Sequence, residues 1–249
     1  MKKEYPEATP ENLEENIFLE GAAETNEAIY EELRKQVEKN YKDNGVDEKL
    51  IEQFVIHNNQ VEELVRKFSD EEKFSDKEKE IAVLASILHD IAKGYGDFLK
   101  HGEEGGKMAE KLLLEKGVSE ALARSVRLAI ERHMGRDGYP SQMAKKEYGP
   151  DFEYPKYATK VGQLLYECDI MTQLTPEGFG KILLLRKTDR NNIEEDAKTA
   201  QEKNITIEQA RILSVLESAK KSFDLIEPDS AIKKHAQELW EGIQEKYKL

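Results

Sequence analysis

The feature that most constrains the fold of this chain is the stretch IAVLASILHDIA at residues 81–92, which is apolar around nearly its whole circumference. A helix of this kind must be surrounded by protein, because none of its faces suits water. His89 and Asp90 lie within it, and burying an imidazole beside a carboxylate is costly unless the two are paired or bound to a metal. The stretch therefore predicts a central core helix whose polar pair is either a hydrogen-bonded core pair or a pair of metal ligands.

Helical periodicity recurs along the rest of the chain, whereas the alternating pattern of a β-strand is absent. The second predicted helix has a buried stripe that includes Leu50, Phe54 and Val61. The fold class predicted is all-α, a helical core with extra N- and C-terminal helices. The helices are expected over 26–40, 47–68, from 76, from 101, over 119–133, from 159, after 176, from the Thr206 capping box and over 229–247.

The chain of 249 residues is expected to form one domain with a tail. Residues 1–24 contain seven Glu and few apolar residues, so we predict a flexible acidic tail. Residues 25–249 form the predicted domain, in which 190–249 is a C-terminal helical extension. Residues 134–157 lose the periodicity and gain Tyr and Pro, which is typical of a long loop that covers a substrate pocket.

Composition excludes several classes of function. The net charge of −13 disfavours large nucleic acids, whose phosphates it would repel. The single cysteine cannot form an internal disulfide, and this fits a reducing, cytoplasmic location. No apolar run is long enough for a membrane span, and the first residues lack the apolar stretch of a secretory signal.

Four further side chains of metal-ligand type lie on predicted apolar faces or at helix ends. Each one alone is as well explained by a structural role, as a hydrogen-bonded core histidine, a surface cap or a buried acid. Together with the pair at 89–90 they need a common explanation, and one or two divalent ions would satisfy them all. These four are His57, His101, His133 and Asp169.

The order and context of these residues resemble the HD superfamily of metal-dependent phosphohydrolases over about residues 50–175. The motifs are His57, ILHDIAKG with His89 and Asp90, KHGEEGGKMAEKLL with His101, IERHMG with His133, and LLYECDIMTQL with Asp169. The resemblance implies an all-α core with a first metal site and a second one bridged to it by Asp90. It assigns His57, His89, Asp90 and Asp169 to the first site, and His101, His133 and Asp90 to the second.

The function implied is hydrolysis of a small phosphorylated molecule by a metal-activated hydroxide, and a nucleotide is the first candidate substrate. Two divalent ions are expected, with Fe or Mn preferred and Mg, Zn, Ni or Co as alternatives. Asp90 and Lys93 are the expected catalytic residues. Lys93, Arg132 and Arg136 are the expected phosphate contacts, and Lys145 and Lys146 are weaker choices.

Two other classes of function stay open at this point. The same set of six residues also resembles the ligand set of the di-iron oxygenases. A module that senses a nucleotide without turnover is the other alternative. HMGRDGYP resembles the HD-GYP phosphodiesterases more weakly, because Arg132 replaces their first histidine and the spacing is shorter. His235 is expected to be exposed and without a role. The helices around Trp240 are expected to pack either on the core or on a second subunit, as in a homodimer.

Overall fold

The computed structural model describes residues 27–93, 101–131, 133, 159–188 and 190–247. These residues form ten α-helices and no strand, which confirms the all-α prediction. The predicted tail at 1–24 and the predicted loop at 134–157 lie outside the described residues. The helices are α1 Glu27–Asp43, α2 Glu48–Glu71, α3 Asp76–Leu88, α4 His101–Glu115, α5 Glu120–Glu131, α6 Lys160–Met171, α7 Pro176–Thr188, α8 Arg190–Lys203, α9 Ile207–Leu225 and α10 Ala231–Lys246, with a 3-10 turn at Thr172–Leu174.

Helix α3 is the centre of the packing, as the sequence predicts. It begins at a capping box formed by Ser75 and Glu78, and every residue from Ile81 to Leu88 is buried. It packs against α1, α2, α4, α5 and α6. Full burial of one Leu or Ile side chain stabilises a fold by about 1.5–3 kcal/mol, so this helix is a main source of stability.

Helix α3 ends at Leu88, and the prediction that it continues to residue 92 was wrong. The chain then turns, because the amide of Ile91 donates to the carbonyl of Leu88 at 3.0 Å and that of Lys93 to Asp90 at 2.8 Å. Side chains of α1 supply further donors at this point. The Asn40 amide donates to the Ile91 carbonyl at 2.7 Å and the Tyr41 hydroxyl donates to the Asp90 carbonyl at 3.0 Å. The helix therefore ends against α1.

Two adjacent glycines, Gly105 and Gly106, allow α4 to approach its neighbours closely. A Cβ atom on Gly105 would lie 3.3 Å from the carbonyl oxygen of His89. A Cβ atom on Gly106 would lie 2.9 Å from the carbonyl oxygen of Arg127 on α5. Helix α4 is thus in contact both with the end of α3 and with α5. An added Cβ would make a tight contact at Gly105 and would force a shift at Gly106.

The C-terminal helices contain an element that the sequence analysis did not predict. Helix α8 has few buried residues, but its Asp196 is fully buried and accepts hydrogen bonds from Arg186 of α7 at 2.8 Å and Arg211 of α9 at 3.1 Å. The capping box of Thr206 and Gln209 is confirmed at the start of α9. Trp240 and Ile243 of α10 are buried, as predicted.

One side chain of the predicted buried stripe of α2 lies elsewhere. Leu50 is 39% exposed, while its neighbour Ile51 is buried. The periodicity of the first turn was therefore assigned one residue too early. None of the described helices is both long and apolar enough to cross a membrane.

Candidate metal centre

The structure brings all six predicted ligands together around Asp90, which is fully buried. Five segments far apart in the sequence contribute to the cluster. Helix α2 provides His57, the end of α3 provides His89 and Asp90, the first residue of α4 is His101, His133 follows α5, and α6 provides Asp169.

The two oxygens of the Asp90 carboxylate face different pairs of histidines. Oδ2 lies 3.5 Å from Nε2 of His57 and 3.3 Å from Nε2 of His89. Oδ1 lies 3.6 Å from Nε2 of His101 and 3.9 Å from Nε2 of His133. Asp90 therefore stands between two groups of imidazoles, and each group has one oxygen of its own.

Asp169 closes the cluster on the side of His57. Its Oδ1 atom lies 3.0 Å from Nε2 of His57. Two sets of three side chains have ligand atoms within 4.8 Å of one another, and His89 belongs to both. One set is His57, His89 and Asp169, and the other is His89, Asp90 and His133.

Hydrogen bonds on the far side of three imidazoles fix which nitrogen carries the proton. His89 Nδ1 lies 2.7 Å from the carbonyl of Ser86, and His133 Nδ1 lies 2.7 Å from the carbonyl of Ile130. A carbonyl only accepts, so Nδ1 must be the donor in both rings. The Thr172 hydroxyl donates to the carbonyl of Asp169 at 2.7 Å and so accepts from His57 Nδ1 at 3.3 Å.

Those bonds leave the Nε2 lone pairs of the neutral rings directed at the carboxylates. Nε2 of His57, Nε2 of His89 and Oδ1 of Asp90 are buried without a hydrogen-bond partner among the described residues. Buried acceptors that face one another are costly unless a proton or a metal cation lies between them. Imidazole nitrogens and carboxylate oxygens, with the outer nitrogen hydrogen-bonded to the protein, are a ligand set that divalent transition metals accept. The residues present therefore fit such ions.

Burial and neighbouring charges move the pKa values of this cluster. Burial lowers the pKa of His57, although Asp169 opposes the change, and burial with the charges of His101 and His89 lowers the pKa of His133 to about 3. Burial raises the pKa of Asp169, but its interactions with His57, His89 and Lys93 outweigh burial and lower the pKa overall. Burial lowers the pKa of His89 as well, but its interactions with Asp90 and Asp169 outweigh burial and raise this pKa overall. The cluster thus favours neutral His57 and His133 rings beside charged carboxylates, and metal ligands require neutral imidazoles and charged carboxylates.

Lys93 contacts the cluster although α3 does not extend to it. The turn after Leu88 brings its ammonium into a hydrogen bond with Oδ2 of Asp90. Lys93 therefore lies beside the pair at 89–90, as expected, but on a turn and not on a continuing helix. The other predicted phosphate contacts, Arg132, Arg136, Lys145 and Lys146, lie outside the residues whose side chains the structure describes.

Sequence reasoning missed the residues that support the cluster from behind. Thr172 is one of them, and its spacing of three residues after Asp169 on the same helical path was the only available signal. Tyr41 is another, and nothing in the periodicity of α1 distinguishes it from an ordinary core aromatic. His235 was expected to be exposed, but its side chain is 31% exposed and its ring lies 5.8 Å from that of Phe68. It lies on α10 and belongs to neither set of ligand atoms.

Comparison with known proteins agrees with this geometry. The family model described as the HD domain matches residues 54–173. Residues 54–173 form an HD domain. All six clustered side chains lie inside this HD domain, whereas Tyr41 and the helices from α7 onward lie outside it.

Two further similarities accompany the HD domain. The chain is 38% identical over 87 residues to the bifunctional uridylyltransferase/uridylyl-removing enzyme of Psychrobacter sp. (strain PRwf-1), a match that covers 35% of this chain and 9% of the relative. A predicted HD superfamily hydrolase from an uncultured Thermotogales bacterium has a similar structure, with a TM-score of 0.44 and 16% identity over 78% of this chain and 90% of that one. This structural likeness is too distant to transfer the roles of residues.

Proposed function

We propose that this HD domain is a metal-dependent phosphohydrolase that acts on a small phosphorylated molecule. A nucleotide is the first candidate for this substrate. The observation that carries the proposal is the convergence of imidazole Nε2 atoms on two carboxylates, the buried Asp90 and the partly buried Asp169. Hydrogen bonds fix the proton on Nδ1 in three of these imidazoles. Such a set lacks protons for its own hydrogen bonds and is suited to divalent cations.

We further propose two metal ions that share Asp90. His57, His89 and Asp169 would complete the first site, and His101 and His133 the second. The separate directions of the two Asp90 oxygens support this division, because each faces its own pair of imidazoles. Divalent ions in such a site lower the pKa of bound water towards neutrality and neutralise the charge of phosphate oxygens.

The chain's own residues would orient the substrate and exclude bulk water. Asp90 is fully buried and its carbonyl accepts a hydrogen bond from Tyr41, so its carboxylate has little freedom to turn. Lys93 lies on the partly open side of Asp90 and is the proposed contact for a phosphate oxygen. A local cation matters here because the chain as a whole has a charge of −13.

The proposed class of substrate has one further support. The relative from Psychrobacter is named for the removal of a uridylyl group, which is a nucleotidyl group joined through phosphate. The shared segment covers a small part of that protein, so the support concerns the chemistry of the domain and not the partner it acts on.

The test is metal content per chain after purification without chelator, followed by phosphate release from a panel of nucleotides. Bound divalent metal and phosphate release are expected. Asp90→Asn should lose both metal and activity, while His235→Ala, a substitution of a histidine outside the cluster, should lose neither. Phosphate release by the Asp90 variant would contradict the proposal. Consumption of dioxygen without phosphate release would replace it with the oxygenase alternative.

A further inference from the structure

A second lysine lies near the metal centre and comes from outside the HD domain. Lys181 is on α7, after the last residue matched by the family model. Its ammonium donates to the carbonyl of Gln53 on α2 at 3.3 Å and lies 5.8 Å from the centre of the Phe54 ring. Phe54 precedes His57 by one helical turn, so α7 directs this cation towards the proposed ligands.

Lys181 and Lys93 approach the same aromatic ring. The Lys93 ammonium lies 5.7 Å from the centre of Phe54, which in turn packs on Tyr41 with ring centres 5.3 Å apart. Both ammonium groups thus lie within 5.8 Å of the centre of the Phe54 ring, and this limits the distance between them. Of the two, Lys93 contacts Asp90 directly, and Lys181 lies farther from that carboxylate.

The positive charge of Lys181 is not neutralised by a carboxylate of the described residues. Among the described residues, the Lys181 ammonium contacts a carbonyl and an aromatic ring and forms no salt bridge with a carboxylate. Burial lowers its pKa, and the charge of Lys93 lowers it further, against weaker opposing effects of Asp90 and Asp169. A half-buried ammonium with a second cation nearby is stabilised by an added anion.

This side of the cluster is also the side that solvent reaches. The side chains of His57, Lys93 and Asp169 are 13%, 21% and 24% exposed. Those of His89 and His133 are 0% and 1% exposed. A substrate would therefore approach past His57 and Asp169, where Phe54 and the two lysines lie.

We propose that Lys181 binds a second phosphoryl group of the substrate, next to the one that Lys93 and the metal centre bind. The inference rests on the proposed function and narrows its substrate to molecules with two linked phosphoryl groups. Lys93 contacts Asp90 and Lys181 does not, so a first phosphoryl group beside Asp90 would meet Lys93 and a second one would extend towards Lys181. Lysine suits this role because it is a point charge that binds phosphate without a fixed geometry.

The experiment measures binding of inorganic pyrophosphate and inorganic phosphate to the full chain by calorimetry after chelator treatment, so that no metal complexes the ligands. Lys181→Met removes the charge and retains the apolar stem of the side chain. It should weaken pyrophosphate binding about tenfold or more, the loss expected for a hydrogen bond to a charged group, and weaken phosphate binding much less. Lys181→Arg should restore most of the affinity. Lys187→Met, on the same helix but paired with Glu208, is the matched control and should change neither.

Two results would overturn the inference. One is unchanged pyrophosphate affinity in a Lys181→Met protein whose unfolding temperature equals that of the wild type. The other is an equal loss of affinity for phosphate and pyrophosphate, which would place Lys181 at the first phosphoryl group. Because the readout is binding without metal, a failure of the proposed hydrolase would appear separately, as absence of phosphate release from every nucleotide by metal-loaded wild-type protein.

Discussion

The Tyr41 hydroxyl donates a hydrogen bond to the main-chain oxygen of Asp90, with 3.0 Å between the two oxygens. Tyr41 is itself fully buried and accepts a 3.4 Å hydrogen bond from the side-chain amide of Asn58. Helix α1 lies outside the HD domain, yet it determines where α3 ends and where the Asp90 side chain begins. The first helix thus supports the candidate metal centre.

Tyr41→Phe should therefore affect metal binding as well as stability. The ring is retained, but the Asp90 carbonyl loses a donor in a buried position, which costs about 1–3 kcal/mol of unfolding free energy. Metal affinity should fall in the same variant, because the backbone beside the proposed bridging carboxylate is less constrained. Urea unfolding and a metal titration by calorimetry measure the two effects.

Ser125→Ala is the control for loss of a hydroxyl-to-carbonyl hydrogen bond. Ser125 bonds to Ala121 within α5 and touches none of the clustered side chains. Its variant should retain the metal affinity of the wild type. An unaltered metal affinity in Tyr41→Phe as well would show that α1 only stabilises the fold.

His101→Ala should remove one of the two expected metal equivalents. The ring lies on the Oδ1 side of Asp90, apart from His57 and Asp169, so the set on the Oδ2 side stays complete. Elemental analysis of the purified variant counts the metal that remains. A metal content equal to that of the wild type would mean that His101 is structural, whereas Asp90→Asn should reduce the content at both positions.

Glu62 should make the stability depend on pH in the acid range. This nearly buried carboxylate of α2 accepts hydrogen bonds from Arg34 of α1 at 2.6 Å and Arg66 of α2 at 2.9 Å. Burial raises its pKa, but the two arginines outweigh burial and the pKa falls below the ordinary value of 4.5. The ionised Glu62 carboxylate therefore stabilises the fold fully when the pH is above 4.5. This stabilisation is lost as the pH falls from 4.5 towards the lower pKa of Glu62 in the folded state.

Glu62→Gln should lower the unfolding free energy by about 1–3 kcal/mol at neutral pH, between the values for exposed and buried ion pairs. The difference from the wild type should shrink as the pH falls below about 4, where the unfolded carboxyl is protonated. Denaturant unfolding across this range measures it. Glu63→Gln makes the same charge change at an exposed neighbour and should alter the free energy by about 0.5 kcal/mol or less. A difference between Glu62→Gln and wild type that does not depend on pH would contradict this account.

The close approach of α4 predicts that an added methyl group at Gly106 is harmful. Its Cβ atom would lie 2.7 Å from Cγ of Glu131 and 2.9 Å from the Arg127 carbonyl, and the backbone oxygen cannot move alone. Overpacking by Gly106→Ala should cost about 1–3 kcal/mol of unfolding free energy. The higher helix propensity of alanine should offset roughly 1 kcal/mol of this cost. Gly242→Ala, where the new Cβ meets nothing within 4 Å, should instead stabilise it by about 0.5–1 kcal/mol. Thermal unfolding compares the two, and equal effects would contradict the packing argument.

Residue type and periodicity predicted the all-α fold and marked the six side chains as candidates, and the resemblance to the HD superfamily assigned them to one cluster. A buried His or Asp on an apolar face is costly, so each was marked by its surroundings in the sequence. The contacts that join helices were not marked in this way. The end of α3 depends on Asn40 and Tyr41 of α1, and no local pattern near Leu88 contains that information.

The same limit explains the other differences. Lys181 is one of many lysines in the sequence, and only its hydrogen bond to the Gln53 carbonyl of α2 distinguishes it. Helix α8 lacks a strong apolar stripe, because part of its attachment to the fold is the buried Asp196 between Arg186 and Arg211. A pattern of hydrophobic residues cannot report an attachment that is made by charges.

The contact between His57 and Asp169 joins the second helix of the fold to the sixth. During synthesis, a chain that has been made only as far as His133 already contains all four clustered histidines but not the Asp169 carboxylate that completes the set. Contacts between distant segments form late in folding, because the entropy of closing the intervening chain must first be overcome. Assembly of the cluster therefore waits until α6 has docked, and a newly made or truncated chain offers scattered imidazoles instead of a finished site.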